Sequence, residues 1–372
     1  MKPSEIQFRT NRADAVRRFV DHDLRRWVQA PDKKPILRQA AEVIDLWRRY
    51  RYWPYQYVKN DLYRRSVGGD YVNYIPTILA ERYVYEINDA EAIDTLEDKF
   101  AYDERMASLG LRYVPVMARI FRAAEGLRIE DRAGAQLTLA KLAAISKQVS
   151  PEGLFVKPRF GLAGLGAFRL KLGAEGFEQD GEPLSEPALL QKLATTDYVE
   201  FVVQPYFQQH EVLRGLNPSS VNTIRVLTLR TDEQVDVISA LFRVGSGVKE
   251  TDNWAYGGYA LPLCMKSGRV GREAYVHESY AAGRSLTHHA ITGVEFGSVV
   301  IPYMDEVVEL VTRGARGLAP ARVIGWDIAI GPDGPVAIEA NAIPGIRIMQ
   351  SVGGGLRSTA YGEEMAQRFA WR

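Results

Sequence analysis

Gly325-Trp326-Asp327-Ile328-Ala329-Ile330-Gly331-Pro332-Asp333-Gly334-Pro335-Val336-Ala337-Ile338-Glu339-Ala340-Asn341 reads as two apolar strands joined at a Pro-Asp-Gly turn. Proline presets one turn dihedral and glycine accepts a positive φ, so this triplet between apolar runs signals a hairpin. Folded about Asp333, the hairpin sets Asp327 opposite Glu339. Asn341 lies two residues on, on the face of Glu339, because strand side chains alternate. Two carboxylates and an amide oxygen in an apolar hairpin are costly unless something compensates them. A hard cation bound through oxygen does so, and Mg²⁺ combines one or two carboxylates with substrate phosphates. A surface hairpin with its acids in water is the plainer alternative.

Other pieces upstream carry related chemistry. Gly161-x-x-Gly164-x-Gly166 lies between strands expected at Leu154–Lys157 and Ala167–Leu170. Glycines there let backbone N–H groups approach phosphate oxygens and let the loop close as a lid. No Gly-Lys-Ser/Thr ends the loop, so it is not a Walker A loop. A strand follows it, so it is not a dinucleotide fingerprint. A simple hairpin turn is the alternative. Lys157 precedes the loop on an apolar strand, where it suits phosphate charge, or else snorkels at the strand end. Arg225 and Arg243 are each embedded in an apolar strand. A planar guanidinium there suits a phosphate or carboxylate partner, or a structural ion pair. The stretch Asp252–Gly258 is polar, aromatic and glycine-rich, which suits a substrate loop or a tight turn. His288 and His289 are adjacent, while His210 and His277 are isolated, so the histidines offer no metal site and no Ser-His-Asp logic.

Composition narrows the class. A chain of 372 residues, 46% hydrophobic and 25% charged, is an ordinary globular protein with room for two or more cores. No apolar run approaches a membrane span, and the N-terminus lacks the apolar core of a signal peptide. Cys264 is the sole cysteine, which excludes an internal disulfide and a cysteine zinc site. A cytoplasmic location is the expectation. The net charge is +1, but residues 1–70 hold 16 Lys/Arg against 9 Asp/Glu. They also hold Trp27, Trp47, Tyr50, Tyr52, Trp53, Tyr55 and Tyr57. A basic, aromatic surface can take an acidic glycan, an anionic membrane face or nucleic acid. No nucleic-acid motif is present, and a helical domain with solvated arginines and core aromatics is the simpler reading.

Helices are expected from about 11 to 95. Arg12–Val28 places Ala15, Val16, Phe19, Val20, Leu24 and Trp27 near one face. Ile36–Tyr50 does the same with Ile36, Leu37, Ala40, Val43, Ile44 and Trp47, and Trp53-Pro54 stops it. Ala90–Leu109 reads as one helix closed by Gly110. Strands are expected at Tyr198–Val203, Thr223–Leu229 and Val235–Phe242, and helices at Ser185–Ala194 and Tyr303–Leu318. The organisation is a helical N-terminal domain (1–95), a linker helix with a first lobe (96–210) and a second lobe (211–372).

In order, Asp98-Lys99-Phe100, Phe155-Val156-Lys157-Pro158 with its glycine loop, Val202-Val203-Gln204-Pro205-Tyr206, Asn222-Thr223-Ile224-Arg225, and Asp327 with Glu339 and Asn341 resemble the ATP-grasp superfamily. The likeness runs from about Asp98 to Gly345. Within it, the Gln-Pro-Tyr, Asn-Thr-Ile-Arg and Asp-Asn…Gly-Gly segments look most like the sugar-transferase-associated, glutamate-ligase-like group, often found beside polysaccharide-biosynthesis genes. The resemblance implies an α+β fold in which two lobes sandwich ATP. It implies that Lys99 and Lys157 contact ATP, that Gly161, Gly164 and Gly166 cover its phosphates, and that Gln204 to Tyr206 form an adenine hinge. Glu211 matches a ribose-binding acid. Asp327, Glu339 and Asn341 would hold two Mg²⁺, and Arg225 and Arg243 would bind the γ-phosphate or acylphosphate. The implied enzyme is an ADP-forming carboxylate–amine ligase working through an acylphosphate. A phosphotransferase on a small molecule or sugar, and an inactive nucleotide-binding scaffold, are the alternatives. One departure stands out: many such ligases begin with a Rossmann-like domain, whereas this chain begins helical, basic and aromatic. That region is expected to bind an anionic sugar, glycan or lipid-linked precursor, with Arg17, Arg18, Arg25 and Arg26 as contacts.

Overall fold

The computed structural model describes residues 23–371 apart from 124–125, 162–163, 180–181, 233, 248–250, 255–256 and 278–285. Arg17, Arg18 and most of the expected helix Arg12–Val28 lie outside the described residues. Two antiparallel sheets organise the rest. The first contains β1 (Ala118–Ala123), β2 (Gly126–Asp131), β3 (Gln136–Leu137), β4 (Leu154–Pro158), β5 (Phe168–Leu172), β6 (Phe177–Gln179), β7 (Glu182–Pro183) and β8 (Glu200–Pro205). Their order is β3-β2-β1-β8-β4-β5-β6-β7. The second contains β9 (Thr223–Arg230), β10 (Val235–Val244), β11 (Tyr259–Pro262), β12 (Tyr275–Val276), β13 (Val323–Gly331) and β14 (Gly334–Asn341), in the order β12-β11-β10-β9-β13-β14.

The first sheet is covered by helices Leu139–Val149 and Glu186–Leu193, whose Leu142, Leu189 and Leu193 pack on Ile120, Val156 and Phe201. Thr138 and Ser185 cap these helices by accepting a backbone N–H. The second sheet is covered on both faces. Ile224, Val226, Phe242 and Ile324 face helix Met304–Gly317. The alternate residues Leu227, Leu229, Leu241 and Val323 face helices Ile346–Gly353, Ala360–Arg368 and Thr77–Ile87. Burial on both sides explains why β13 reads as an apolar run interrupted only by Asp327, with every residue buried.

The quoted hairpin is β13–β14, with a refinement of its register. Gly331 pairs with Gly334, so Pro332-Asp333 is a two-residue turn, and Ile328 pairs with Ala337. That register would set Asp327 against Ile338. A β-bulge between Asp327 and Ile328 inserts one residue on β14 and brings Glu339 opposite Asp327 instead. Asp327 also pairs with Arg225 on β9. One rung therefore carries Arg225, Asp327 and Glu339 across three strands.

Three expectations change. The single helix Ala90–Leu109 is two, Ala90–Glu97 and Lys99–Ser108. Asp98 breaks it by turning extended and capping the second helix through the N–H groups of Phe100 and Ala101. The helix Ile36–Tyr50 ends at Tyr50, with Arg51 left-handed, before Trp53-Pro54. Its expected core face is also reversed: Ile36, Leu37, Ile44 and Trp47 are exposed, while Gln39, Glu42, Leu46 and Tyr50 are buried.

Packing crosses the sequence boundary drawn at residue 95. Ile75, Ala80, Tyr83 and Val84 share a core with the second sheet. Asn88 pins this junction: its side chain donates to the carbonyls of Val323 (2.7 Å) and Ala342 (2.8 Å) and accepts from the N–H groups of Arg322 and Val323. Ala92, Ile93, Leu96 and Met106 join the other face of that sheet. Residues from Ala30 to Tyr74 form a cluster of their own.

Candidate functional site

A cleft runs between the sheets. The end of β4, the glycine loop and the end of β8 line one side; β9, β10, β13 and β14 line the other. Of the expected site residues, Lys99, Lys157, Gly161, Gly164, Gln204, Tyr206, Arg225, Arg243, Asp327, Glu339 and Asn341 all line it. Gly166 and Glu211 do not. Gly166 has φ +73°, and a Cβ there would lie 3.1 Å from Pro158 and 3.2 Å from Thr196, so it shapes the base of the loop. Glu211 opens helix Glu211–Leu216 and is exposed. Spacing from Gln204 does not carry it into the cleft, because the intervening residues leave the strand and His210 is tied to Ile330 O at 2.8 Å.

The floor is a clamp of opposite charges. Arg225 donates to both oxygens of Asp327, at 2.6 and 2.9 Å, and Arg243 donates to the same two, each at 3.1 Å. Arg243 also reaches Asp252 at 2.6 Å. Asp252 in turn accepts the N–H of Thr223 at 3.1 Å and its hydroxyl. Burial pushes the Asp327 carboxyl up, but the two guanidiniums outweigh it and hold the group below the usual carboxylate range. Burial likewise pushes Asp252 up, against the pull of Arg243. The sequence flagged Asp252 only as part of a loop; its pairing with Arg243 depends on tertiary placement.

The roof is looser. Lys99 donates to Gly161 O at 2.9 Å and sits 3.7 Å from a Glu339 oxygen. Lys157 is buried, and loss of water pulls its ammonium down to about 8; Lys99 pulls the same way and Glu339 opposes. Arg159 fastens the loop's base to the start of helix Lys99–Ser108, bonding Asp98 at 2.8 and 2.6 Å and Glu200 at 3.1 Å. Gly164 has φ +70°, and a Cβ there would lie 2.9 Å from Thr251, so the glycine loop already abuts the loop carrying Asp252. Glu97 is a site neighbour that sequence reasoning missed. It accepts the Ala342 N–H at 3.0 Å, and burial together with the nearby Glu339 raises it to about 7.

A buried polar cluster sets the start of β9. Asn222 donates to Gln209 Oε1 at 2.9 Å and accepts from Gly245 N at 3.2 Å; Gln209 donates to Ser220 O at 2.7 Å. Asn222 thus aims the strand that carries Thr223 and Arg225. At the β8 end, Gln204 donates to Val114 O at 2.6 Å, and Tyr206 N–H is held by Ser150 Oγ and Gly153 O. These polar groups are engaged internally, and Pro205 and Phe207 flank Tyr206 on either side. Both residues line the cleft.

The donor set can be tested against Mg²⁺ and a nucleotide. Four cations (Lys99, Lys157, Arg225, Arg243) face three carboxylates (Asp252, Asp327, Glu339) in the described lining, which leaves an excess of positive charge for phosphates. Asn341 spends its N–H on Gly325 O, which leaves its own oxygen to accept. Glu339 is partly exposed, and its ion pair to Lys99 is long. Among the described residues, no three His, Cys, Asp or Glu side chains converge to hold a metal alone. The fit is therefore to a cation held by Glu339 and Asn341 and completed by ligand oxygens, with Asp327 largely committed to its arginines.

A protein-family model described as sugar-transfer associated ATP-grasp matches residues 79–361. No curated protein matches the chain. Among solved structures, the chain is similar to a carboxyaminoimidazole ribonucleotide synthase from Aspergillus clavatus complexed with ATP, at 15% identity and TM-score 0.39, covering 73% of this chain and 52% of that one. It is similar to a biotin carboxylase–ATP complex from Campylobacter jejuni, at 11% identity and TM-score 0.45, covering 76% and 48%. It is also similar to the D-cycloserine synthetase DcsG, at 15% identity and TM-score 0.43, covering 79% and 78%. The chain spans about half the length of the first two.

Proposed function

We propose a function from one premise: the chain belongs to the sugar-transfer associated ATP-grasp family and has the ATP-grasp fold. The cleft is then the site of an ATP- and Mg²⁺-dependent ligase that joins a small-molecule carboxylate to an amine, releasing ADP and phosphate, with a sugar or glycan precursor as the acceptor class. The observation that carries this reading is the convergence of Lys99, Lys157 and the glycine loop above a floor of Arg225 and Arg243.

Lys99 and Lys157 neutralise phosphate charge from the roof, and burial strengthens each contact. Gly161 and Gly164 let the loop lie close to the phosphates and exclude water. Glu339 and Asn341 would hold Mg²⁺, which when bound would supply neutralisation of phosphate charge. Arg225 and Arg243 stabilise charge on the group in transit. The acceptor carboxylate oxygen takes the γ-phosphoryl group as the bond to the ADP oxygen breaks. The amine nitrogen then attacks the acyl carbon, phosphate leaves, and the nitrogen gives up a proton.

The test is thermal unfolding with Mg²⁺ and a non-hydrolysable ATP analogue, on the wild type and Glu339→Gln. Ligand at about 100 times its dissociation constant stabilises by about 2.7 kcal/mol. The wild type should shift and the variant should not. Release of ADP and phosphate should then require both a carboxylate and an amine. Absence of a shift in the wild type overturns the reading; ADP release with a stable phosphorylated acceptor and no free phosphate turns it into a phosphotransferase.

A further inference from the structure

The helix Ile36–Tyr50 is built with its polar side inward. Glu42 accepts from Lys34 at 2.9 Å, from Arg38 at 2.9 Å and from Tyr57 at 2.7 Å. Gln39 accepts from Trp27 at 2.8 Å and donates to Lys34 O at 2.6 Å. This satisfied network fixes the helix's rotation, because turning it would strand a buried carboxylate. The outer side therefore shows Leu37, Ala40, Ala41, Ile44 and Trp47. Leu37 is 83% exposed, and Ile44 and Trp47 are each nearly half exposed. Their spacing of three and four residues makes one stripe, about 15 Å long. Half of the sixteen exposed large apolar side chains among the described residues fall between Leu24 and Tyr55, so exposed apolar surface is concentrated in the stretch that carries the stripe.

Within the same stretch the exposed charges have one sign, although Asp70 is exposed in the loop that Arg38 contacts. The exposed charged residues from Leu24 to Tyr55 are Arg25, Arg38, Arg48 and Arg51. The acids of the same stretch are spent: Asp32 on Arg64, Asp45 on Arg49, and Glu42 within the buried network. Arg26 is spent as well, on Asp23 and Asp61, so it is not one of the exposed contacts. Arg51 lies over the ring of Trp47, which joins the basic end to the apolar stripe.

An aliphatic stripe with a tryptophan, flanked by exposed arginines and with the carboxylates of its own stretch paired, has the chemistry of a helix lying in the interface of a bilayer with anionic headgroups. Single-stranded nucleic acid asks for stacked aromatics, which does not account for Leu37 and Ile44. A second copy docked on a two-fold axis would set these arginines against one another. At 15 residues with one polar face, the helix lies on a membrane and does not cross it. We infer that this face docks the protein on a membrane surface that carries anionic lipid. The inference is independent of the reading of the cleft.

The test is co-sedimentation of the full chain with vesicles of phosphatidylcholine alone and of phosphatidylcholine with phosphatidylserine. Binding to the mixed vesicles should be at least about tenfold tighter and should weaken with salt. Leu37→Glu with Ile44→Glu should lower it about tenfold or more at an unchanged melting temperature, because both positions face solvent. Arg48→Ala with Arg51→Ala should lower binding to the mixed vesicles while leaving the stripe intact. As a readout that needs no charged variant, brominated lipid should quench tryptophan emission, and less so in Trp47→Phe. Failure to bind either vesicle overturns the inference. So does binding that both pairs of variants leave unchanged, a dimer abolished by the glutamates in place of vesicle binding, or oligonucleotide binding tighter than vesicle binding.

Discussion

Asp327→Asn, measured without any nucleotide, tests whether the cleft floor is a charge clamp. Asp327 is buried and receives four hydrogen bonds from Arg225 and Arg243. The amide keeps the shape, removes the charge and turns an NH₂ toward guanidinium donors. Breaking a buried pair by removing one partner costs about 3–5 kcal/mol. Arg243 keeps Asp252, whereas both hydrogen bonds of Arg225 end on Asp327, so the lower figure, about 3 kcal/mol, applies. Unfolding entropy of about 2.1 cal/mol/K per residue gives roughly 0.8 kcal/mol/K for 372 residues, hence a fall of about 4 °C in Tm. If the second lobe, roughly half the chain, melts alone, the fall doubles to about 8 °C. Glu339→Gln is the control. Its partly exposed side chain meets Lys99 only at 3.7 Å, and the loss should stay under about 1 kcal/mol. Adding Arg225→Met to Asp327→Asn should return part of the stability, because no buried cation is then stranded. Calorimetric melts at neutral pH decide the matter. An Asp327→Asn melt within about 1 °C of wild type, or an equal fall in Glu339→Gln, refutes the clamp.

Two further outcomes follow from the loop and from Glu97. Gly164→Ala places a Cβ at φ +70° against Thr251 in the ligand-free chain itself; the left-handed strain of about 1 kcal/mol should either lower the ligand-free melt by about 1 °C or, if the loop opens to relieve it, weaken Mg²⁺–nucleotide binding about fivefold in a titration, and a variant that shows neither change would refute the closed loop conformation. Glu97 is raised from 4.5 to about 7, so the folded chain keeps a proton that the unfolded chain has released: the stability this group contributes is full below about 4.5 and is lost as pH rises through 7. Glu97→Gln imitates the protonated form and still accepts the Ala342 N–H, so the unfolding free energy from urea melts should fall less between pH 5 and 8 than in wild type, by at most about 3 kcal/mol; identical pH slopes would refute the assignment.

Which features were legible in the sequence depends on how local their rules are. The β13–β14 hairpin was readable because turn chemistry and strand alternation act over a few residues. The bulge was not, since nothing in Ile338 itself marks it as the extra residue. Even so, counting from Asp333 reaches Glu339, because the error in the turn centre and the omitted bulge cancel. Asp98 could have been read as a cap from its identity. A run of good helix formers on either side hid the break. The helix Ile36–Tyr50 shows a deeper limit. Periodicity finds the apolar face of a helix but not its direction. Here Lys34, Gln39, Glu42 and Tyr57 satisfy one another inside, and that network prevails over burying Leu37.

The cleft's own pairings rank its contacts by how easily a ligand could displace them. Four cations close together would repel one another if no carboxylates stood between them, so Asp327 and Asp252 hold Arg225 and Arg243 in place before anything binds. Those pairs are short, bidentate or buried, and giving them up would strand a charge. Lys99–Glu339 is the opposite: long, partly exposed, and near Asn341, whose amide oxygen is left to accept. On the proposed reading, an incoming phosphate and its cation separate Lys99 from Glu339, each then gaining a partner of opposite charge. The arginine floor keeps its geometry throughout. The rung Arg225–Asp327–Glu339 thus divides its labour along its length, with preorganisation at the β9 end and exchange at the β14 end. It is the bulge in β14 that brings the two ends onto one rung.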